Sequence, residues 1–73
     1  MTREELGKTL AQLRQEQGFS IREIAKECAT STRAVQAIEK SWYNVGIDTY
    51  ISLAHRLGAE LQIKPVQRKK GTK

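Results

Sequence analysis

A chain of 73 residues, 38% hydrophobic and 29% charged with a single Pro, has room for one small soluble domain with a modest core, its stability either marginal or helped by a partner subunit. No apolar run approaches the roughly 20 residues of a bilayer span, and Met1-Thr2-Arg3-Glu4-Glu5 lacks the apolar centre of a secretory signal, so no membrane partner and a cytoplasmic location are expected. One cysteine, Cys28, and one histidine, His55, exclude an internal disulfide and a thiolate metal cluster and supply no nucleophile–base set, so no metal, no cofactor and no enzymatic role are expected. Thirteen Lys and Arg against eight Asp and Glu leave a net charge of +5, which favours a polyanionic partner, although many small domains are mildly basic without one.

Thr2-Arg3-Glu4-Glu5 fits a capping box, in which the hydroxyl accepts an orphan amide while Glu5 reaches back. It predicts a helix over residues 3–17 with Leu6, Leu10, Leu13 and Gln17 in one stripe. Gly18 supplies a left-handed end, and Phe19 folds back on the last turn. Ser20-Ile21-Arg22-Glu23 repeats the capping pattern and opens a second helix over 20–28. Ile21, Ile24, Ala25 and Cys28 form its narrow apolar face, while Arg22, Glu23, Lys26 and Glu27 point away. Cys28 reads as a buried small hydrophobe, not a reactive thiol.

Ala29-Thr30 breaks the chain, and Ser31 caps a third helix over 31–40. At about 100° per residue, Val35 and Ile38 share an inner face with Ala34 alongside, and Arg33, Gln36, Ala37 and Lys40 lie opposite. Thr32 stands in the first turn and Glu39 on one flank, so the outer face carries a guanidinium, an amide, a hydroxyl and an ammonium but no carboxylate. In the loop from Ser41 to Gly46, Trp42 is expected to pack in the core. A fourth helix begins near 46–48, buries Ile47, Ile51, Ala54 and Leu57 with Tyr50 and Leu53 flanking, and ends at Gly58. His55 falls on its polar side.

Glu60-Leu61-Gln62-Ile63-Lys64 then alternates like a half-buried strand stopped by Pro65. Two readings stand. The strand pairs with its copy in a second subunit, making Leu61 and Ile63 dimer contacts, or Leu61 and Ile63 fold onto the core as a frayed tail. Residues 67–73 read as a basic disordered tail. The division expected is thus a helical domain over 1–58, a dimerisation strand over 59–66 and that tail.

Two short helices around a tight break, the second with a polar basic outer face, make a helix-turn-helix. Such a helix fits the DNA major groove with the side chains near its start at base edges, while the helix before it crosses the backbone. Arg pairs with guanine, Gln with adenine, and Thr offers a methyl to thymine. From Leu10 to Gly58 the chain resembles the Xre/Cro-type phage-repressor domains, through Leu13-Arg14, Gly18 to Ala25, Ser31 to Glu39, Ile47-Asp48-Thr49, Leu53-Ala54 and Leu57-Gly58.

The resemblance implies an all-α, compact four- to five-helix repressor-type domain, here followed by a short C-terminal β-strand. It implies base contacts at Thr32, Arg33, Gln36 and Ala37, and backbone contacts from the start of the second helix and from the loop after the third. The backbone contacts expected are Ser20, Arg22, Ser31 and Lys40, with Tyr43, which departs from the family's small and basic loop residues, and Asn44, both able to hydrogen-bond phosphates. Arg14 and Glu39 match a pair that ties the first helix to the reading helix. The turn glycine usual in the family is Ala29 here, so a distorted turn or another backbone shape is expected. Ile21 replaces a polar residue that often binds phosphate, and Arg22 is the expected substitute. The stretch Leu57 to Pro65 looks like the ending of HipB-type antitoxin repressors, whose terminal strand pairs across the dimer. The function expected is a homodimeric repressor that reads double-stranded DNA and represses its own operon. The alternatives are an antitoxin that also binds a toxin protein, and a protein-interaction module that does not read DNA.

Overall fold

Hydroxyl groups start three of the four helices. The computed structural model describes residues 2–61, in which α1 spans Arg3–Glu16, α2 Ile21–Glu27, α3 Thr32–Lys40 and α4 Ile47–Arg56. The Thr2 hydroxyl accepts from the Glu5 amide at 3.1 Å while the Glu5 carboxylate accepts from the Thr2 amide at 2.7 Å. Ser20 and Glu23 repeat the exchange at 3.0 and 2.8 Å, so both capping boxes form. The Ser31 hydroxyl accepts from the Ala34 amide at 3.0 Å. Gly46 opens α4 without a side-chain cap.

The helices end alike, each followed by a residue in left-handed backbone: Gly18 (φ 81°), Ala29 (φ 54°), Ser41 (φ 58°) and Gly58 (φ 79°). Behind Gly18, the Phe19 amide donates to the Arg14 carbonyl and the Gly18 amide to that of Gln15, both at 3.1 Å. This crossed pair satisfies carbonyls that the helix itself leaves open. Ala29 makes the same pair, its own amide donating to Lys26 at 3.2 Å and that of Thr30 to Ala25 at 2.9 Å. The expectation of a distorted or different turn is therefore corrected. Ala29 takes the shape that glycine normally supplies, and the two amide bonds offset a left-handed cost of about 1–2 kcal/mol.

Between α1 and α2 lies α3, and α4 packs against α2. Leu10, Ile24, Val35, Ile38 and Leu53 are the largest fully buried side chains, joined in one core by Ala25, Tyr50, Ala54 and Leu57. Burying each large aliphatic chain contributes roughly 1.5–3 kcal/mol. Phe19 and Cys28 pack against this core from the rim, Cys28 partly buried where full burial was expected, with its thiol 3.7 Å from the Ser52 carbonyl oxygen.

Two apolar faces are rotated from the expectation. In α1 the buried residues are Gly7, Leu10 and Arg14, with Leu6 and Leu13 half-buried on one flank. Gln17 is exposed, though its amide donates to the Leu57 carbonyl at 2.7 Å. In α4 the buried residues are Tyr50, Leu53 and Ala54, continued by Leu57, whereas Ile47 is 63% and Ile51 49% exposed. At about 100° per residue Ile47 and Ile51 fall just past the edge of the arc that these four occupy. Apolar residues span an arc of nearly half of this helix's circumference, wider than the face that is buried, so the pattern admitted two orientations, and the one that buries the large aromatic ring prevails.

Trp42, expected in the core, is 56% exposed: left-handed Ser41 ends α3 and turns the chain, so the Trp42 amide donates to the Ala37 carbonyl while the indole stays at the surface. Of the strand expected over 60–64, Glu60 and Leu61 are described and carry no strand pairing. Ile63, with the rest of residues 62–73 and Met1, lies outside the described residues. No described helix is long and apolar enough to cross a membrane.

Candidate nucleic-acid interface

The outward part of α3 is narrow and continuous. Thr32, Arg33 and Lys40 are exposed and Gln36 is half-buried, and at about 100° per residue these four share one arc. Ala37 was expected on the same side and is not there. Its side chain is 0% exposed, because α3 is gripped by helices on two sides and more of its circumference is covered than the pattern of a one-sided surface helix suggests. A side chain without surface cannot reach a base edge. Val35 and Ile38 face inward as expected.

Two contacts with α1 set where α3 lies. Gly7, in mid-helix, stands against the backbone at Ile38; a Cβ there would overlap the Ile38 carbonyl oxygen. Glycine costs a helix interior roughly 1 kcal/mol relative to alanine, so its place in α1 is explained by this close approach.

Beside it, Arg14 Nε donates to Glu39 Oε2 at 2.7 Å and Nη2 donates to Oε1 at 3.1 Å, a two-pronged pair. The third prong, Nη1, donates to the Phe19 carbonyl at 2.7 Å. With side chains only 11% and 6% exposed, this is a buried ion pair, which fixes geometry more than it adds stability. It joins α1, α3 and the turn before α2. It also draws the one carboxylate of α3 inward, leaving the outer arc with cations and neutral polar groups alone.

The flanking groups divide by what already engages them. Both serines, Ser20 and Ser31, use their oxygens as helix caps. Arg22 is exposed on the first turn of α2, beside the Glu23 carboxylate that occupies the Ser20 amide. By contrast, the first turn of α3 holds no acidic residue, so the positive end of its dipole is not neutralised by a side chain. Tyr43 is 41% exposed next to Trp42. Asn44 is turned toward the start of α1, its Oδ1 accepting from the Arg3 guanidinium. His55 is exposed on α4, away from the core.

A family comparison bears on this arrangement directly: the family model described as "Helix-turn-helix" matches residues 10–63. The chain belongs to the helix-turn-helix family. Among solved structures, the crystal structure of the clp gene regulator ClgR from Corynebacterium glutamicum is similar, with a TM-score of 0.72 and 31% identity over 80% of this chain. The match covers 62% of that chain, so this sequence spans less than two thirds of the regulator's length. Among curated proteins none matches.

In this helix-turn-helix domain α2 and α3 are the motif helices and Ala29-Thr30 the turn between them. Spacing alone missed Gly7 as the residue that lets α3 approach α1. An unexplained glycine inside a strong helical pattern was the available signal. It also missed the burial of Ala37, for which one chain offers no cue, since alanine suits either face of a helix.

Proposed function

We propose that this helix-turn-helix domain binds double-stranded DNA with sequence preference and regulates transcription, as a homodimeric repressor and not as an enzyme. One observation carries the reading. The outward arc of α3 presents Thr32, Arg33, Gln36 and Lys40, and its only carboxylate, Glu39, is buried against Arg14. Arg33 and Gln36 are the groups for guanine and adenine, and Thr32 offers a methyl to thymine. Lys40, Arg22, Tyr43, Asn44 and the two capping serines would meet phosphates, which position the domain without reading sequence. Similarity to a protein described as a gene regulator supports the regulatory part. Two copies related by a two-fold axis, with Leu61 and Ile63 among their contacts, would set half-sites about 34–36 Å apart. Repression would then follow from steric occlusion of the promoter.

The test is selection of bound duplexes from a random pool, followed by the same selection with Arg33→Ala and with Gln36→Ala. Each variant should lose discrimination worth about 1–3 kcal/mol at its own base position and keep it elsewhere. If both variants select the same sequence with the same affinity as the parent, α3 is not the reading helix.

A further inference from the structure

The contact of Gly7 with Ile38 lays the start of α1 along the end of α3, and a polar cleft of about 240 Å³ remains between them. Glu4, Lys8, Glu39, Lys40 and Ser41 line it. Glu4 and Lys8 stand one turn apart on a single face of α1. Glu4, Lys8 and Lys40 are exposed, and Ser41 is half-buried. Because Lys40 also belongs to the outward arc of α3, the cleft extends the surface proposed for DNA onto a helix outside the motif.

The charges in the cleft decide what it can hold. Glu39 has both oxygens engaged by Arg14, so that carboxylate is already neutralised. The positive start of α1 and the negative end of α3 meet at the same place and offset each other. Two ammonium groups, those of Lys8 and Lys40, then face one carboxylate, that of Glu4. Among the described residues the ion pairs are Arg14 with Glu39 and Arg56 with Glu27, so neither lysine is engaged in one. Ammonium groups sharing a cleft repel each other, and an anion with several acceptor oxygens seated between them removes that repulsion. Ser41 adds a hydroxyl that can donate to the same anion.

We propose that Lys8 is a DNA contact outside the helix-turn-helix motif: with Lys40 and Ser41 it clamps one phosphate of the duplex backbone, and Glu4 sets the strength of the clamp. The inference rests on the DNA-binding reading and adds a contact from α1 to it. Loss of either lysine leaves one cation and the Glu4 carboxylate, which cancel, so either loss opens the clamp. Loss of the Glu4 charge leaves two cations unopposed and tightens it.

Equilibrium binding of the full chain to its selected duplex and to a shuffled duplex, across a salt series, tests this, with the melting temperature of each variant measured alongside. Lys8→Ala should weaken binding to both duplexes about three- to tenfold at about 0.1 M salt and lower the logarithmic salt slope by about 1, with base preference kept. Lys8→Ala combined with Lys40→Ala should lose little more than either alone, because both hold the same phosphate. Glu4→Gln should tighten binding several-fold, and added to Lys8→Ala it should recover most of the loss. In mass-spectrometric footprinting, the duplex should shield the Lys8 amine from acetylation, and inorganic phosphate at the same ionic strength should not.

If the parent binds and Lys40→Ala weakens it while Lys8→Ala does not, the clamp is overturned and the DNA-binding reading stands. Losses that multiply in the double variant and do not respond to Glu4→Gln mean two separate surface charges, which also overturns it. A Lys8→Ala chain that melts lower with affinity unchanged makes Lys8 a support for the end of α3 and no DNA contact. Shielding by inorganic phosphate as strong as by the duplex makes the cleft a free-anion site and overturns the assignment to DNA. A parent that binds no duplex even at low salt overturns both the clamp and the DNA-binding reading.

Discussion

The motif helices α2 and α3 are short neighbours on either side of one turn, yet they show water opposite chemistry. The outward residues of α2 are Arg22, Glu23, Lys26 and Glu27, two cations and two anions. Glu23 closes the start of the helix, and Glu27 pairs with Arg56 of α4. The outward residues of α3 are Thr32, Arg33, Gln36 and Lys40, with no acid in the first turn. Both helices contain glutamate; the difference is where it goes. Glu39 is taken into the protein by Arg14, and its removal from the surface makes α3 a face that a polyanion can approach. The same ion pair thus positions α3 and clears its surface.

Breaking that pair should have the largest effect. Arg14→Ala leaves Glu39 buried without its cation and the Phe19 carbonyl without its donor, and should cost about 3–5 kcal/mol in denaturant unfolding. The matching change on α2, Glu27→Ala, removes a partly exposed pair and should cost no more than about 1 kcal/mol. Equal losses would erase the contrast between the helices.

Gly7→Ala comes next. Its methyl group forces α1 and α3 apart at Ile38, with an expected loss of about 1–3 kcal/mol despite the better helix propensity, read as a fall in melting temperature. Ala29→Gly should raise stability by up to about 1 kcal/mol, by relieving left-handed strain in the turn, with DNA affinity unchanged. Lys40→Ala should leave stability nearly untouched and weaken binding to all duplexes alike, reducing the logarithmic salt slope by about 1.

The smallest effect concerns Cys28, whose thiol is pushed above its ordinary pKa chiefly by burial, against the opposing pull of Arg56. Its folded-state pKa being raised, its stabilising contribution is whole below the unfolded value and fades as pH rises through the thiol range. Cys28→Ala should therefore flatten the alkaline fall in stability slightly, measured as melting temperature against pH.

The parts of this structure legible in the sequence were those determined locally. Thr2 with Glu5, Ser20 with Glu23, and Ser31 are helix starts because a hydroxyl or carboxylate meets an amide three residues away, and nothing remote can change that. Gly18 and Gly58 are ends for the same reason. What failed were the orientations. Ile47 and Ile51 lie outward and Ala37 inward because the choice among apolar faces depends on neighbouring helices, which periodicity does not contain.

Trp42 shows a related limit: its hydrophobicity suggested the core, but the left-handed turn at Ser41 leaves the ring outside. Ala29 failed in the other direction. The propensity of one residue was weighed correctly, but two backbone hydrogen bonds overrule it. For the site, the residue types on α3 were legible while the reason its face is free of acid was only half so. The Arg14 and Glu39 match named the partners, and the burial of the pair supplied the consequence.

The most direct test of the central claim, that the acid-free arc of α3 reads DNA, is equilibrium binding to the selected duplex and to a shuffled duplex of the same composition across a salt series. The account predicts a preference of about 10³ or more for the selected site, with affinity for both falling steeply as salt rises. Equal affinity for the two duplexes at every salt concentration, or no binding even at low salt, would contradict it.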